Sequence, residues 1–465
     1  MTVSLLPLST AACFNGDAAQ GLPCQSDAQC GVHDACIKAD PGDAVGVCGG
    51  AAADSGTDDD SGTTGGTTPA CGTPLPSSCE GVAPAASVSF DTRVLDEVPG
   101  AGGNVAVVPG YFLGADARVD LAVANYFEQR ISLYRNTGNA SVPFERYMID
   151  YFLPLYPYDL VGDDFDCDGF TDLATVSLDA TELLVAYGTG DGVGEFVAKE
   201  TVAEAWSMAS GDLVGSDGRP ELLVAGSTQI FLIESTERDW TATSQALDNG
   251  AATPWSTVIA DINGDGVLDA VVPDADQYDL EQPTSDRVML FTGERLELQI
   301  DYREPSLLNP IDAALIDIDG DDDLDMFVLS KHINMENTGS DQPATLSAHT
   351  NDGNGQFTQS GQPSTLGIGG NALASGDFNC DGYDDLVVGH DGGNGGVWIL
   401  WGPQYAADTA QQVADDAIAG TKMAVSDFDG DGYPDLAVTD FGTLTVDQTI
   451  DEPGSVYVLL TRPGT

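Results

Sequence analysis

The sequence is short of basic residues. Its 465 residues include 15 lysines and arginines against 75 aspartates and glutamates, which gives a formal net charge of -60. The lysines are Lys38, Lys199, Lys331 and Lys422. A field of this sign repels nucleic acid and anionic lipid, so we expect no nucleic-acid partner. Two explanations of this acidic excess are compatible with each other: bound divalent cations offset part of the charge, or the surface is adapted to a saline medium.

Histidines and long apolar runs are also scarce. The four histidines lie too far apart in the sequence to form a zinc pair, which disfavours histidine-based metal or acid-base chemistry. No apolar run approaches the roughly 18 residues that a membrane-spanning helix needs. The chain is long enough for several cores or for one large repetitive architecture.

Residues 1–12 resemble the end of a secretory signal. The run "VSLLPLSTAA" at 3–12 is apolar and ends in small residues directly before Cys13. If this is a lipoprotein signal, Cys13 carries the lipid and tethers the protein to a membrane, although Thr10 stands where leucine is favoured. A plain N-terminal tail is the alternative. We therefore expect an extracellular or cell-envelope protein, either secreted or an outer-membrane lipoprotein.

Residues 13–50 read as a small Cys-rich module, too short and polar to fold around an apolar core. Disulfides among Cys24, Cys30, Cys36 and Cys48 are its expected support, and zinc is disfavoured because no C-x-x-C pair occurs. We expect Cys71 and Cys79 to form a local bridge, and Cys167 and Cys380 to remain free thiols. Residues 51–85, rich in Gly, Ser, Thr and Asp, predict a flexible linker.

Residues 86–465 repeat one unit seven times. Five copies are intact: "DDFDCDGFTDLATV" at 163, "DINGDGVLDAVV" at 261, "DIDGDDDLDMFV" at 317, "DFNCDGYDDLVV" at 377 and "DFDGDGYPDLAV" at 427. Weaker copies occupy 112–120 and 212–221, so the last acids fall at 120, 172, 221, 269, 325, 385 and 435, with a period of 48 to 60 residues. This period is typical of a four-stranded propeller blade or a helical repeat.

The apolar runs after each acid decide between these architectures. They are short, β-prone and apolar at successive positions, as expected for strands buried on both faces between neighbouring blades. The orphan strand "ASVSFDTRV" at 86–94 precedes the first unit, and we expect it to complete the seventh blade. The sequence thus predicts an all-β fold in which residues 86–465 form a seven-bladed β-propeller.

Each intact unit places side-chain oxygens at loop positions one, three, five and nine, with glycine or aspartate at position six. In the unit at 427 these four positions are Asp427, Asp429, Asp431 and Asp435. Oxygen-rich cages of this kind suit calcium, and a main-chain carbonyl at position seven can add a ligand. A solvated acidic turn is the alternative for one loop, but five loops in register disfavour it. We predict about five structural Ca²⁺ ions. Their candidate ligands are Asp164, Asp166, Asp168, Asp172, Asp261, Asn263, Asp265, Asp269, Asp317, Asp319, Asp321, Asp325, Asp377, Asn379, Asp381, Asp385, Asp427, Asp429, Asp431 and Asp435.

Two other loop features lead to predictions. Position two is apolar in every intact loop and is expected to anchor the loop in the core. In the weak copies position seven is Arg118 or Arg219, and we expect each guanidinium to stand in for the cation. The acids beside them are Asp116, Asp120, Asp217 and Glu221.

The stretches "DFNCDGYDDLVV" and "DFDGDGYPDLAV" resemble the FG-GAP/VCBS repeat family, which is related to the integrin alpha-chain propeller. The resemblance implies a seven-bladed β-propeller with calcium in the loop joining the first two strands of a blade. The first and third units depart from the family pattern and are expected to bind no metal. The family includes adhesins, lectins and a few hydrolases, so membership alone does not fix an activity.

The function expected from these features is binding or adhesion toward an unidentified protein or carbohydrate ligand, by a monomeric module without catalytic residues. A secreted polysaccharide lyase or hydrolase on the same scaffold is the alternative. Candidate binding segments are 151–160, 397–405 and the insertion 331–356. Core packing explains the aromatic residues of the first two segments at least as well.

Overall fold

The computed structural model describes residues 82–464 apart from gaps. The longer gaps are 98–102, 115–117, 140–141, 247–252, 276–285, 305–306, 332–342, 391–395, 416–417 and 445–449, and single residues are omitted at 179, 203, 216, 237, 297 and 369. Before residue 82 it describes residues 75 and 79 and three short strands. The signal remnant, Cys13 and most of the linker lie outside the described residues. No described helix is long and apolar enough to cross a membrane.

The three short strands form a separate antiparallel sheet. They span Pro23–Cys24, Asp34–Ile37 and Gly46–Gly50, and the last strand lies between the other two. Cys36 lies directly opposite Cys48 in this sheet. The proposed disulfides of the Cys-rich module stay a prediction.

The repeats fold into seven four-stranded antiparallel sheets, which confirms the seven-bladed β-propeller. Blade 1 consists of Asn104–Gly110, Asp120–Asn125, Arg130–Asn139 and Val142–Phe152. Blade 2 consists of Asp159–Asp163, Asp172–Val176, Glu182–Ala186 and Val197–Thr201. Blade 3 consists of Ala205–Gly211, Glu221–Gly226, Gln229–Thr236 and Asp239–Ala246.

The remaining blades follow the same order. Blade 4 consists of Val258–Ala260, Asp269–Asp274, Arg287–Thr292 and Leu298–Tyr302, with a 3₁₀ turn at Glu294–Leu296. Blade 5 consists of Pro310–Ile316, Asp325–Ser330, Pro343–Asn351 and Phe357–Ile368. Blade 6 consists of Gly370–Gly376, Asp385–His390, Val397–Leu400 and Gln411–Ala414.

Blade 7 joins the two ends of the propeller. Its first three strands are Gly420–Ser426, Asp435–Asp440 and Ser455–Pro463, with a small hairpin of Gly442–Leu444 and Ile450–Pro453 between the last two. Its fourth strand is Val88–Glu97, which pairs antiparallel with Ser455–Pro463. The orphan strand therefore completes the ring, as predicted, and covers the edge of Ser455–Pro463.

The second strand of each blade carries much of the core. In blades 1 and 3 to 7 all six residues of this strand are buried. Both faces are covered because neighbouring blades pack against each other, as when Val387 of blade 6 and Leu436 of blade 7 share one apolar cluster. This double burial explains why the second strands read as continuous apolar runs instead of alternating ones.

The cysteine pairing differs from the sequence prediction. Cys79 forms a disulfide with Cys380, across 301 residues, so the predicted local bridge between Cys71 and Cys79 is wrong. Cys167 is disulfide-bonded as well, so neither Cys167 nor Cys380 is a free thiol. Sequence spacing favours pairing between cysteines that are close in the chain. Ring closure instead brings the segment before Val88–Glu97 back to the loop of blade 6.

Candidate metal centres and central cavity

The five intact loops lie at one end of the propeller, each joining the first and second strand of its blade. Position two fastens the loop to the protein interior, as predicted: Phe165 and Phe378 are 0% exposed, and Phe428 is 4% exposed. The anchoring extends to the neighbouring blade, because Phe165 packs edge-on against Trp240 of blade 3. Each loop is therefore held between two blades.

The position-one aspartate organises the backbone of its loop. One carboxylate oxygen accepts the N–H of position five at 3.0 to 3.2 Å, and the other accepts the N–H of position six at 2.8 to 3.1 Å, in all five intact loops. Two left-handed residues make this turn possible. Position four has φ of 56° to 81° and position six φ of 71° to 94°.

Glycine fills most of these left-handed positions, and three other residues fill the rest. Position four is Cys167 in blade 2 and Cys380 in blade 6, and position six is Asp322 in blade 5. A left-handed conformation is strained for residues other than glycine unless the surroundings hold it. Both cysteines are disulfide-bonded, which supplies a covalent restraint at these two turns.

The position-nine aspartate clamps the loop to the third strand. One of its oxygens accepts the N–H of position two at 2.8 to 3.2 Å, and the other accepts an N–H near the end of the third strand at 2.6 to 3.2 Å. All five of these aspartates are 0% exposed. The first weak copy keeps the clamp, since Asp120 accepts the N–H groups of Leu113 and Asn136 at 2.7 and 2.8 Å. In the other weak copy, Glu221 Oε2 accepts the N–H groups of Leu213 and Val214 in the loop, at 2.8 and 2.9 Å.

Three loops bring the acids of positions one, three and nine together. Their carboxylate oxygens lie within 4.8 Å of one another in Asp164, Asp166 and Asp172, in Asp317, Asp319 and Asp325, and in Asp427, Asp429 and Asp435. In blades 4 and 6 position three is Asn263 or Asn379, and its side-chain oxygen accepts the N–H of position five at 2.9 or 2.8 Å.

The position-five aspartate does not belong to these three groups of acids. In all five intact loops one of its oxygens accepts the N–H of position seven, at 2.9 to 3.1 Å. The structure therefore places the first, third and ninth predicted ligands together in blades 2, 5 and 7, and in all five loops it turns one oxygen of the fifth toward the loop backbone.

The acid groups fit a hard divalent cation. Asp166 Oδ1 and Asp429 Oδ1, both at position three, are buried and have no hydrogen-bond partner among the described residues. A buried carboxylate oxygen without a partner is costly unless a positive charge approaches it. Calcium prefers clustered oxygen ligands of this kind, so the residues of positions one, three and nine would hold the ion. The ion would supply positive charge that offsets the repulsion between the carboxylates.

Two arginines beside the loops escaped the sequence prediction. Arg238 Nε donates to Asp166 Oδ2 at 2.5 Å, and Arg462 Nη1 donates to Asp429 Oδ2 at 2.6 Å. Each arginine thus satisfies one oxygen of a position-three carboxylate and leaves the other toward the acid cluster. Both come from strand ends far from the loop in sequence, and no pattern within the repeat marks them.

The arginines of the weak copies were predicted to stand in for the cation. Arg118 Nη1 donates to the carbonyl of Thr137 at 2.8 Å, and because Asp116 lies outside the described residues, the role of Arg118 stays a prediction. Arg219 Nη1 is buried without a hydrogen-bond partner in the part of the chain that the structure describes. Asp217 instead accepts the backbone N–H of Arg219 at 3.0 Å. The guanidinium of Arg219 therefore does not replace a cation by pairing with the loop acids.

Burial changes the acidity of the clamping carboxylates. It raises the pKa of Asp172 and Asp435 to about 8 and that of Asp385 to about 7. Loss of hydration is the largest cause, and repulsion by the other loop acids adds to it, while backbone N–H groups oppose the rise. The protein without a cation therefore holds several carboxylates that resist ionisation.

Comparison with known families agrees with these loops. The model of the FG-GAP-like repeat matches residues 214–272, 317–388 and 377–438, and that of the FG-GAP repeat matches residues 419–459. The chain is an FG-GAP repeat protein. Integrin alpha-like is a suitable broad label for its propeller, and family membership favours a binding or adhesion module over an enzyme.

Among solved structures, this FG-GAP repeat protein is similar in part to BBS1N, whose crystal structure was determined in complex with ARL6DN and soaked with lead. The two chains are 13% identical. The match covers 81% of this chain and 99% of that chain, with a TM-score of 0.48. No curated protein matches the sequence.

A cavity of about 460 Å³ lies at the other end of the FG-GAP propeller. Many of its lining residues stand in the first three positions of innermost strands, as Asp159, Trp206, Ile311, Asn371 and Thr421 do. The acidic loops follow the last positions of these strands. The cavity and the loops therefore occupy opposite ends of the central channel.

Aromatic side chains form one wall of the cavity. The ring centroids of Tyr158 and Trp206 lie 5.8 Å apart, and those of Trp206 and Trp255 lie 5.3 Å apart. Of the two aromatic segments chosen from sequence, only 151–160 contributes to this wall, through Tyr158. In 397–405, Tyr405 is 9% exposed and packs against Phe327, so core packing explains it.

Two buried carboxylates and an ammonium group meet in the cavity. Asp159 accepts the N–H of Met208 at 2.8 Å, and Asp312 accepts the N–H of Leu373 at 2.7 Å, so each links its blade to the next. Burial raises the pKa of both carboxyls, and the positive charge of Lys422 is the largest influence opposing the rise. Sequence analysis missed this group because its members share no motif.

Proposed function

We propose that this FG-GAP repeat protein is an extracellular or cell-envelope module that binds a protein or glycan, with calcium as a structural component of its five intact loops. The proposal is carried by the division of the propeller into two ends. At one end the acid clusters stabilise the blades, and at the other an aromatic-walled cavity of about 460 Å³ is open to a ligand.

The disulfides support the location. Cys79 and Cys380 are bonded, and Cys167 is bonded too, which is typical of an oxidising compartment outside the cytoplasm. Attachment to a membrane through Cys13 and a monomeric state are further parts of the proposal. Neither is needed for binding at the cavity.

The carboxylates of the cavity argue against the enzyme alternative. Asp159 accepts the N–H groups of Leu160 and Met208, and Asp312 accepts those of Ala313 and Leu373. Both carboxylates are thus committed to the backbone, which disfavours their use as a general acid and base on a polysaccharide.

Glycan and protein arrays, screened with calcium and after its removal, test this function. The module should retain at least one ligand class in calcium, and the same ligand should be recovered without cleavage after prolonged incubation. Depolymerised product would favour a lyase or hydrolase. Absence of any retained ligand in calcium would contradict the binding function.

A further inference from the structure

We propose that the central cavity is a binding site for an acidic sugar, a pyranose ring bearing a carboxylate, at the end of a glycan chain. This rests on the proposed binding function and names its site and ligand class. The aromatic wall of Tyr158, Trp206 and Trp255 would receive the ring, and Lys331 and Lys422 would receive the carboxylate.

The lysines are the first argument. The chain has four lysines among 75 acidic residues, yet two of them line this one cavity. They come from different blades, since Lys331 follows the second strand of blade 5 and Lys422 belongs to the first strand of blade 7. Two positive and two negative side chains leave the cavity without net charge, in a protein whose net charge is -60. An anion is repelled less here than over the acidic surface.

The hydrogen-bonding groups of the cavity form the second argument. The carboxylates of Asp159 and Asp312 already accept two backbone N–H groups each. Two donors of the cavity are less committed. Trp255 Nε1 is buried without a hydrogen-bond partner among the described residues. Lys422 acts on both carboxylates through its charge and not through a hydrogen bond. A ligand rich in acceptors fits these donors.

The aromatic wall is the third argument, and it separates a sugar from a simple anion. Tyr158, Trp206 and Trp255 contact one another and present a continuous apolar surface beside the ammonium groups. A free carboxylate or phosphate gains nothing from such a surface, whereas the C–H face of a pyranose buries apolar area against it. A cationic ligand would suit the aromatic rings, but the two lysines repel it, and the carboxylates of Asp159 and Asp312 already accept backbone N–H groups.

The test uses the calcium-loaded full chain and trimers of galacturonate, glucuronate, mannuronate and guluronate, with the neutral trimer of each sugar as comparison. Binding is measured by calorimetry and by tryptophan fluorescence. At least one uronate trimer should bind, and its neutral counterpart should bind about tenfold more weakly or worse, as expected for a lost charge-assisted hydrogen bond. Equal binding of the neutral trimer, or no binding of any uronate, would overturn the proposal.

Substitutions locate the site. Lys331→Gln and Lys422→Gln should each weaken uronate binding about tenfold or more. Lys199→Gln is the matched control, because Lys199 lies over the ring of Tyr187 in blade 2 and does not line the cavity. If Lys422→Gln fails to fold, Lys331→Gln still decides the question. Unchanged binding in a folded lysine variant would refute the cavity as the site.

The outcomes separate this proposal from the binding function itself. Retention of another glycan or protein, with equal affinity in Lys331→Gln, would leave the binding module standing and remove the acidic-sugar site. Failure of every array ligand as well as every uronate would remove both.

Discussion

Phe428 of the blade 7 loop packs edge-on against Phe144 of blade 1, with ring centroids 5.7 Å apart. The same loop residue accepts a hydrogen bond through its carbonyl from Asn136 Nδ2 at 2.7 Å. An acidic loop thus fastens the blade that closes the ring to the first blade. The loops contribute to cohesion between blades as well as to the turn within each blade.

Truncation of Phe428 should destabilise the propeller. Because the ring is 4% exposed and fills the space between two blades, Phe428→Ala should lower the free energy of unfolding by about 3–5 kcal/mol. Tyr383 is the matched control: it is 45% exposed at position seven of the blade 6 loop, and Tyr383→Ala should cost less than about 0.5 kcal/mol. Chemical denaturation measures both. Equal losses would show that the interface does not depend on the loop.

Asp120 allows the clamp to be tested apart from metal binding. It belongs to a blade that is expected to bind no ion, yet it accepts two buried backbone N–H groups. Asp120→Ala leaves both N–H groups unpaired and should cost about 2–6 kcal/mol. The loss should be the same with calcium and with a chelator. A loss seen only in calcium would mean that this loop binds the ion after all.

Substitutions at position three of the blade 7 loop test whether the side chain there is a calcium ligand or has only a structural role. Asp429→Ala removes both the unpaired oxygen and one of the partners of Arg462, so the number of bound calcium ions should fall by one. Asp429→Asn should retain the ion, because blades 4 and 6 carry Asn263 and Asn379 at this position. Calcium titration with elemental analysis measures the number. An unchanged number in Asp429→Ala would exclude position three as a ligand.

The repeats made most of the fold predictable from sequence. A loop such as 427–435 encodes its own turn, through an acid at position one and residues that tolerate left-handed φ at positions four and six. Copies in register imply equivalent blades, and the orphan strand before the first unit implies closure. Local chemistry repeated along the chain is therefore enough to define the architecture.

The long-range contacts were not predictable in this way. The Cys79–Cys380 bond spans 301 residues, and it forms because ring closure returns the early chain to the loops of blades 6 and 7. Ala85 donates to the carbonyl of Asn379 at 2.8 Å in the same region. Arg238 reaches its acid from the neighbouring blade, 72 residues away, and Arg462 reaches its acid from the third strand of the same blade, 33 residues away. The cavity residues come from separate blades, so they are neighbours only in the closed ring.

The metal-free protein should lose stability as pH rises. Burial raises the pKa of Asp172 and Asp435 from an ordinary value of 3.8 to about 8, so the folded state binds protons more tightly than the unfolded state between these values. The contribution to stability is therefore full below about pH 4 and lost as pH rises through about 8.

Melting temperatures of metal-stripped protein at pH 5 and pH 8 check this, with the higher temperature expected at pH 5. Calcium should reverse or flatten the trend, because the ion favours the ionised carboxylates. A metal-stripped protein that melts at a higher temperature at pH 8 would contradict the assignment of these carboxylates as proton-binding groups.

The most direct test of the account is the melting temperature of the purified chain in saturating calcium and in excess chelator, with the bound metal counted by elemental analysis. Five intact loops should hold about five calcium ions, and each saturated site adds up to about 4 kcal/mol, so melting should rise by more than about 10 °C in calcium. Identical melting temperatures and a protein free of calcium would show that the acid clusters are not metal centres.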